Sequence, residues 1–284
     1  MASTLQTSPP VSTMLRQDVY ERLLERIGFE REPDPDLATL NAIYKFWSRD
    51  VGYDNVLKRI YIEEGHSGPF PVMDPSDFIE NWMKHGTSGS CWPSSEALYG
   101  VLALAGYRPE RTAGQMLECN DPMDPNHGAI IVHLDGKRMY VDPGVAAEQA
   151  LELVPGKPNR TPSEAFGIWD EGDGHVWWRP GHSRRAIEVV MDLDKLSYEF
   201  FADRYEKTKE FSLFNTTLYV RRNRDDGILT YGRGNILRVD TQGELTAEPI
   251  DESEIPAFLI EQMGLSEEIV ARVPLKDDEG AQFE

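Results

Sequence analysis

Apolar residues recur at a helical period through the first hundred positions, then switch to alternation. Residues 17–27 place Val19, Leu23, Leu24 and Ile27 on one helical face. Residues 30–35 are acidic and carry Pro33 and Pro35, which stop that helix. Residues 36–50 predict a second helix with Leu37, Leu40, Ile43, Tyr44 and Trp47 on one side, broken by 51–56. Residues 57–62 read as a short extended piece. Asp74 followed by Pro75 is a cap and first-turn signal, predicting a helix over 75–82. A fourth helix begins at Cys91, with Ala97, Leu98, Val101, Leu102 and Ala105 at helical spacing and Gly106 as its stop. Beyond Gly106 the pattern predicts strands over 111–119, 127–134 and 137–141, then 176–179 and 187–191, and a small sheet from 218–222, 228–231 and 235–239. Residues 196–206 read as a helix or a loop, and helices are expected over 255–263 and 266–272.

Composition narrows the class. The chain has 284 residues, 40% apolar, enough for one large domain or two to three small ones with a substantial core. Its formal charge of −20 disfavours nucleic acid and anionic membrane as partners and means that a polyanionic ligand needs a local basic patch. No apolar run reaches membrane-spanning length. Residues 1–12 are Ser-, Thr- and Pro-rich and lack a signal-peptide pattern, so 1–16 read as a disordered tail, and the two cysteines read as free thiols of a cytoplasmic protein. Cys91 and Cys119 do not make a disulfide framework.

The stretch from His85 to Glu96 carries the candidate chemistry. A loop of small residues runs into Cys91, Pro93 suits the first helical turn, and Glu96 is expected in that turn as well. A cysteine at a helix start faces unpaired N–H groups that favour a thiolate. On position alone, a small buried residue filling space is an equal reading. The hairpin supplies the discriminating geometry. Asp135-Gly136 between two apolar runs is a two-residue turn, so Leu134 faces Lys137 and Ala129 faces Asp142. His127 and Asp142 are then diagonal neighbours on one face, about 7–8 Å apart between Cα atoms. A thiol, a base and an orienting carboxylate make the set that thiol acyl transfer needs, with the Cys91 N–H as the natural oxyanion donor. His85 is a second candidate base if the register differs. His133 reads as structural, Cys119 as a core thiol, and His175 and His182 lack metal-ligand spacing, so no metal is expected. Trp177 and Trp178 read as packing residues, as does Trp92, although Trp92 adjoins the nucleophile.

With Cys91, His127 and Asp142 separated by 36 and 15 positions, the chain resembles the arylamine N-acetyltransferases over most of its length. Val51-Gly52-Tyr53-Asp54-Asn55-Val56 is similar to that family's Pro-Phe-Glu-Asn-Leu segment, Val141-Asp142-Pro143-Gly144-Val145 to its Val-Asp-Val-Gly-Phe-Gly, and residues 211–220 to the start of its third domain. The resemblance implies an α+β fold: a helical domain over 17–106 carrying the nucleophile, an antiparallel β-barrel over 107–210 and an α/β lid over 211–284. It implies a Cys91–His127–Asp142 triad, substrate positions at Tyr53, Trp92, Val145 and Phe214, and a coenzyme contact at Gly144. The implied activity is transfer of an acetyl-like group from an acyl-CoA, through a cysteine thioester, to an arylamine or hydrazine. The chain also departs from the family: Thr87-Ser88-Gly89-Ser90 stands where the family has Arg-Gly-Gly and one more residue, and Val145 replaces an aromatic. Asp121 and Asp124 bring negative charge near the coenzyme entrance, while Arg184, Arg185, Arg221, Arg222 and Arg224 are candidate phosphate partners, though solvated surface charge is the simpler reading of them. A coenzyme-independent amidase or amide synthase with the same triad therefore stands as the alternative.

Overall fold

The computed structural model describes residues 15–117, 123–163, 165–172, 174–183 and 185–276. The chain begins with helices α1 (Gln17–Ile27) and α2 (Leu37–Phe46), the latter running into a π-helical turn, Trp47–Val51. A two-residue strand β1 (Tyr53–Asp54) follows, then α3 (Val56–Glu63), α4 (Pro75–His85) and α5 (Cys91–Leu104). The expected extended piece at 57–62 is instead α3. The Asp54 carboxylate accepts the Val56 N–H at 3.0 Å, and Val56 and Ile60, one turn apart, both bury in the core that also holds Leu218 and Val220. Asp74 caps α4 as expected, accepting from Ser76 N and Asp77 N.

The middle of the chain forms β2 (Arg108–Met116), β3 (His127–Leu134), β4 (Lys137–Val141), β5 (Leu151–Glu152), β6 (Asn159–Arg160), β7 (Ile168–Asp170), β8 (His175–Trp178) and β9 (Ile187–Leu196), followed by α6 (Tyr198–Lys207). These strands make one eight-stranded sheet in the order β5-β4-β3-β2-β9-β8-β7-β6, every pairing antiparallel. Its two edges approach: Asn159 Nδ2 of β6 donates to Glu152 O of β5 at 2.9 Å, nearly closing the sheet into a barrel. The β3–β4 register pairs Leu134 with Lys137 and Ile130 with Val141, as the turn chemistry requires. Positive φ at both Asp135 and Gly136 is the geometry that matches strand twist.

The C-terminal part holds β10 (Tyr219–Arg224), β11 (Gly227–Gly232), β12 (Asn235–Asp240), β13 (Leu245–Pro249), α7 (Ile255–Glu261) and α8 (Glu267–Val270). Its antiparallel sheet has the order β1-β10-β11-β12-β13, so β1, from the N-terminal part, is its edge. The molecule is α+β: helices first, a barrel-like sheet next, a mixed sheet-and-helix part last. A main core joins α1, α2, α4 and α5 to β3 and β4, and a second core lies under the C-terminal sheet. Helix α5 is buried almost throughout from Cys91 to Leu102, as a helix at the centre of a domain must be. No helix of the described residues is long and apolar enough to cross a membrane.

Candidate active site

The close packing of α5 on β3 brings Cys91 to His127. Trp92 lies over Gly128, where an added Cβ would stand 2.6 Å from the indole ring, and Ser95 Oγ donates to Gly128 O at 2.9 Å. Cys91 is therefore the first residue of a helix pinned to the strand that begins with His127. All three expected residues are buried: Cys91 is 8% exposed, His127 3% and Asp142 not at all. His127 Nε2 and Asp142 Oδ2 are 2.6 Å apart. The same imidazole faces Cys91, whose charge acts on it. With Nε2 committed to the carboxylate, Nδ1 is the nitrogen left for sulfur.

Asp142 is held from every side. Its Oδ1 accepts from Gly144 N at 2.8 Å and Val145 N at 3.1 Å, while the Tyr140 hydroxyl donates to Oδ2. The Tyr44 hydroxyl donates to its backbone carbonyl at 2.6 Å. A buried carboxylate with its acceptors this fully used is fixed in direction. Burial alone lowers the pKa of His127, but the charge of Asp142, then that of Cys91, and the hydrogen bond to Asp142 outweigh it and raise the value to about 10. The imidazole is thus held as imidazolium against the sulfur at neutral pH.

The remaining expected positions divide. Tyr53 is at the site: its hydroxyl lies near the Cys91 backbone N–H, and burial, then the charge of Cys91, keeps that hydroxyl protonated. Phe214 leans on Tyr53 at 5.6 Å between ring centroids, and Tyr219 completes the aromatic wall at 5.9 Å from Tyr53. Gly144 lies against the reacting groups, its built Cβ falling 2.9 Å from His127 Cε1 and 3.3 Å from Cys91 Cβ. The side chain of Val145 turns into the main core at 2% exposure. Trp92 is 1% exposed and meets Phe201 edge-on at 5.0 Å, which makes it packing.

Three expectations are corrected. Glu96 is the sixth residue of α5, beyond the first turn, and forms a buried two-pronged ion pair with Arg111 of β2 at 2.5 and 2.7 Å. His85 is no second base: it bonds Ser266 Oγ at 2.9 Å, anchoring the C-terminal segment to α4. Arg221 and Arg222 are not solvated surface charge; they are 2% and 4% exposed. Arg222 donates to Val51 O and, at 2.5 Å, to Gly86 O. These two bonds help to hold the loop before Cys91. Asp54 of β1 accepts from Ser88 N at 2.6 Å and Ser88 Oγ at 2.7 Å, and the Arg222 charge offsets the cost of burying that carboxylate. Asp54 and Arg222 were legible only as parts of motifs, since their burial follows from β1 joining β10. His133 pairs with Glu110 at 2.9 Å and His175 with Glu188. Cys119, Asp121 and Arg184 lie outside the described residues. Among the described residues, no group of three His, Cys, Asp or Glu side chains is placed to hold a metal ion.

Known proteins bear on this geometry. A curated arylamine N-acetyltransferase of Mycolicibacterium smegmatis is 26% identical over 237 residues, covering 78% of this chain and 82% of that one. Three solved structures share the fold. The arylamine N-acetyltransferase of Mycobacterium marinum in complex with CoA has a TM-score of 0.72 at 18% identity, covering 88% of this chain and 97% of that one. That of Mycobacterium abscessus has a TM-score of 0.72 at 16% identity, over 94% and 98%. That of Salmonella typhimurium has 0.70 at 14%, over 91% and 98%. The profile of the N-acetyltransferase family matches residues 36–271, most of the chain and all of the thiol, imidazole and carboxylate just described, and the chain belongs to the arylamine N-acetyltransferase family.

Proposed function

We propose that Cys91, His127 and Asp142 carry an acetyl-like group from an acyl-CoA to the nitrogen of an arylamine or hydrazine. The observation that carries this reading is the imidazole shared between the Cys91 sulfur and the Asp142 carboxylate at a buried helix start. The reactive form of Cys91 is the thiolate, with the His127 imidazolium beside it. The sulfur attacks the acyl carbonyl, and charge develops on the carbonyl oxygen beside the Cys91 N–H and the Tyr53 hydroxyl, two donors at the position where an oxyanion forms. Collapse breaks the bond to the coenzyme sulfur, which takes the proton from His127. The acyl group now rests on Cys91, and the neutral imidazole accepts a proton from the incoming amine as its nitrogen attacks the thioester. Expulsion of the Cys91 thiolate releases the amide and restores the ion pair.

The coenzyme is supported by the family and by the CoA complex of the M. marinum relative. Gly144, without a side chain over His127 and Cys91, leaves room for a thioester to approach both. The division into 17–106, 107–210 and 211–284 is part of the same proposal, with the last part as lid; Phe214 and Tyr219 support it by contributing to the wall around Tyr53. The test is intact mass after brief exposure to acetyl-CoA. A gain of one acetyl group that Cys91→Ala abolishes, and that an arylamine discharges, is expected. No adduct with any acyl-CoA, together with hydrolysis of aryl amides without coenzyme, overturns the proposal in favour of an amidase.

A further inference from the structure

Arg221 is a buried cation. It is 2% exposed, and among the described residues no carboxylate pairs with it. Its Nη2 reaches Asn223 Oδ1 at 3.3 Å, its guanidinium lies 6.0 Å from the centre of the Trp178 ring, and its Nε has no acceptor. The Trp178 indole N–H, also buried, has none either. Both orphaned groups are donors only, so what would satisfy them is an acceptor, and the charge of one of them calls for an anion. Burying a guanidinium is costly unless something negative arrives to meet it.

The location says what the anion belongs to. Arg221 of β10 is the register partner of Tyr53 of β1. Partnered residues of an antiparallel pair project to the same face with neighbouring Cβ atoms. Arg221 therefore stands beside the tyrosine whose hydroxyl lies near the Cys91 N–H, and its charge is felt at Tyr53, Tyr44 and Asp142. Gly181 packs close by without a side chain: a built Cβ there would lie 2.7 Å from Thr230 Oγ1 and 3.5 Å from Arg221 Cδ. Asn223, which holds one end of the guanidinium, is itself fixed to Ala146 O at 2.7 Å, two residues beyond Gly144. The cation is thus tied on one side to the loop that orients Asp142 and open in its hydrogen bonding on the other.

We propose that Arg221, with the Trp178 N–H, receives a carboxylate carried by one of the two substrates, either at the far end of the acyl group or on the ring of the acceptor amine. The inference rests on the acyl-transfer reading of Cys91 and adds the substrate class. A planar guanidinium accepts a carboxylate through two parallel hydrogen bonds, and a site built this way rejects the neutral analogue.

Two pairs of probes separate the sources. Succinyl-CoA against butyryl-CoA tests the donor, with acylation of Cys91 followed by mass. Discharge of acetylated Cys91 by 4-aminobenzoate against 4-aminobenzamide tests the acceptor. In one pair the carboxylated member is expected to react at least roughly tenfold faster, and Arg221→Met is expected to remove that preference while leaving the neutral member within about threefold. Removing an unpaired buried charge leaves the fold intact by the same reasoning, and Arg221→Gln serves as the second variant. A measurement on the unaltered protein needs no variant: succinate or benzoate slows alkylation of Cys91 by iodoacetamide, and succinamide or benzamide does not. Equal rates within both pairs, a preference that survives both variants, or equal protection by acids and amides overturns the assignment. Acylation without carboxylate preference defeats only the assignment of Arg221. Failure of every acyl-CoA defeats the acyl-transfer reading, and the alkylation measurement then decides on Arg221 alone.

Discussion

A side chain at position 144 would fill the space over the imidazole, since even a Cβ falls 2.9 Å from His127 Cε1 and 3.3 Å from Cys91 Cβ. Gly144→Val is therefore expected to cut acylation of Cys91 by on the order of 100-fold, because a misplaced reacting geometry costs that much. The protein should stay folded by circular dichroism, which a packing role alone would not predict. The charge arrangement is testable at the same scale. Asp142 raises the pKa of His127 through its charge and its hydrogen bond, so Asp142→Asn removes two raising influences and leaves burial, which lowers it. The expected result is an imidazole titration, followed by NMR, that moves from about 10 in the wild type to a lower value in the variant. An unmoved titration would mean that Cys91 alone sustains the imidazolium. On the proposed mechanism Tyr53→Phe removes one of the two donors beside the forming oxyanion and is expected to lower kcat by roughly 10- to 100-fold with KM little changed.

At the scale of elements, the parts set by local chemistry were legible in the sequence. Helix α4 starts at its Asp74-Pro75 signal, and the β3–β4 hairpin has the register its two-residue turn demands, which carried the His127–Asp142 deduction. Helix α3 was not legible, because apolar pairs at 56–57 and 60–61 in so short a run fit more than one period, and burial against Leu218 and Val220 decides between them. The two-residue strand β1 gave no pattern of its own, yet its pairing with β10 buries Asp54, Arg221 and Arg222 around the site. Residue type announces such charges and sequence position does not announce their burial, so solvated surface is the simpler sequence reading of the two arginines. The Asp54–Arg222 arrangement is the element-scale device that holds the loop before Cys91: one residue grips Ser88, the other Val51 and Gly86. Arg222→Met leaves Asp54 buried without a compensating charge and two carbonyls without donors. The expected cost is on the order of 3 kcal/mol, read as a lower urea midpoint at an unchanged slope.

Across the whole molecule, two buried histidines titrate in opposite directions and shape how stability depends on pH. Burial, and then the charges of Arg221 and Arg233, lowers His182 from its ordinary value near 6.5 to about 4. Between those values the unfolded chain binds a proton that the folded chain refuses, so this group weakens the fold as pH falls from 6.5 towards 4. His127 has the opposite sign. Its pKa rises from 6.5 to about 10, so the folded chain binds the extra proton, and its contribution, full below 6.5, is lost as pH rises towards 10. The two together place a maximum near pH 6.5, flanked by an acid limb owned by His182 and an alkaline limb owned by His127. The net charge of −20 adds self-repulsion on the alkaline side but has no site to which a single substitution could be assigned. His182→Gln is therefore expected to flatten only the acid limb of the melting temperature plotted against pH, and Asp142→Asn only the alkaline one. If His182→Gln leaves the acid limb in place, that limb belongs to the buried carboxylates, and His182 must already be protonated in the folded protein.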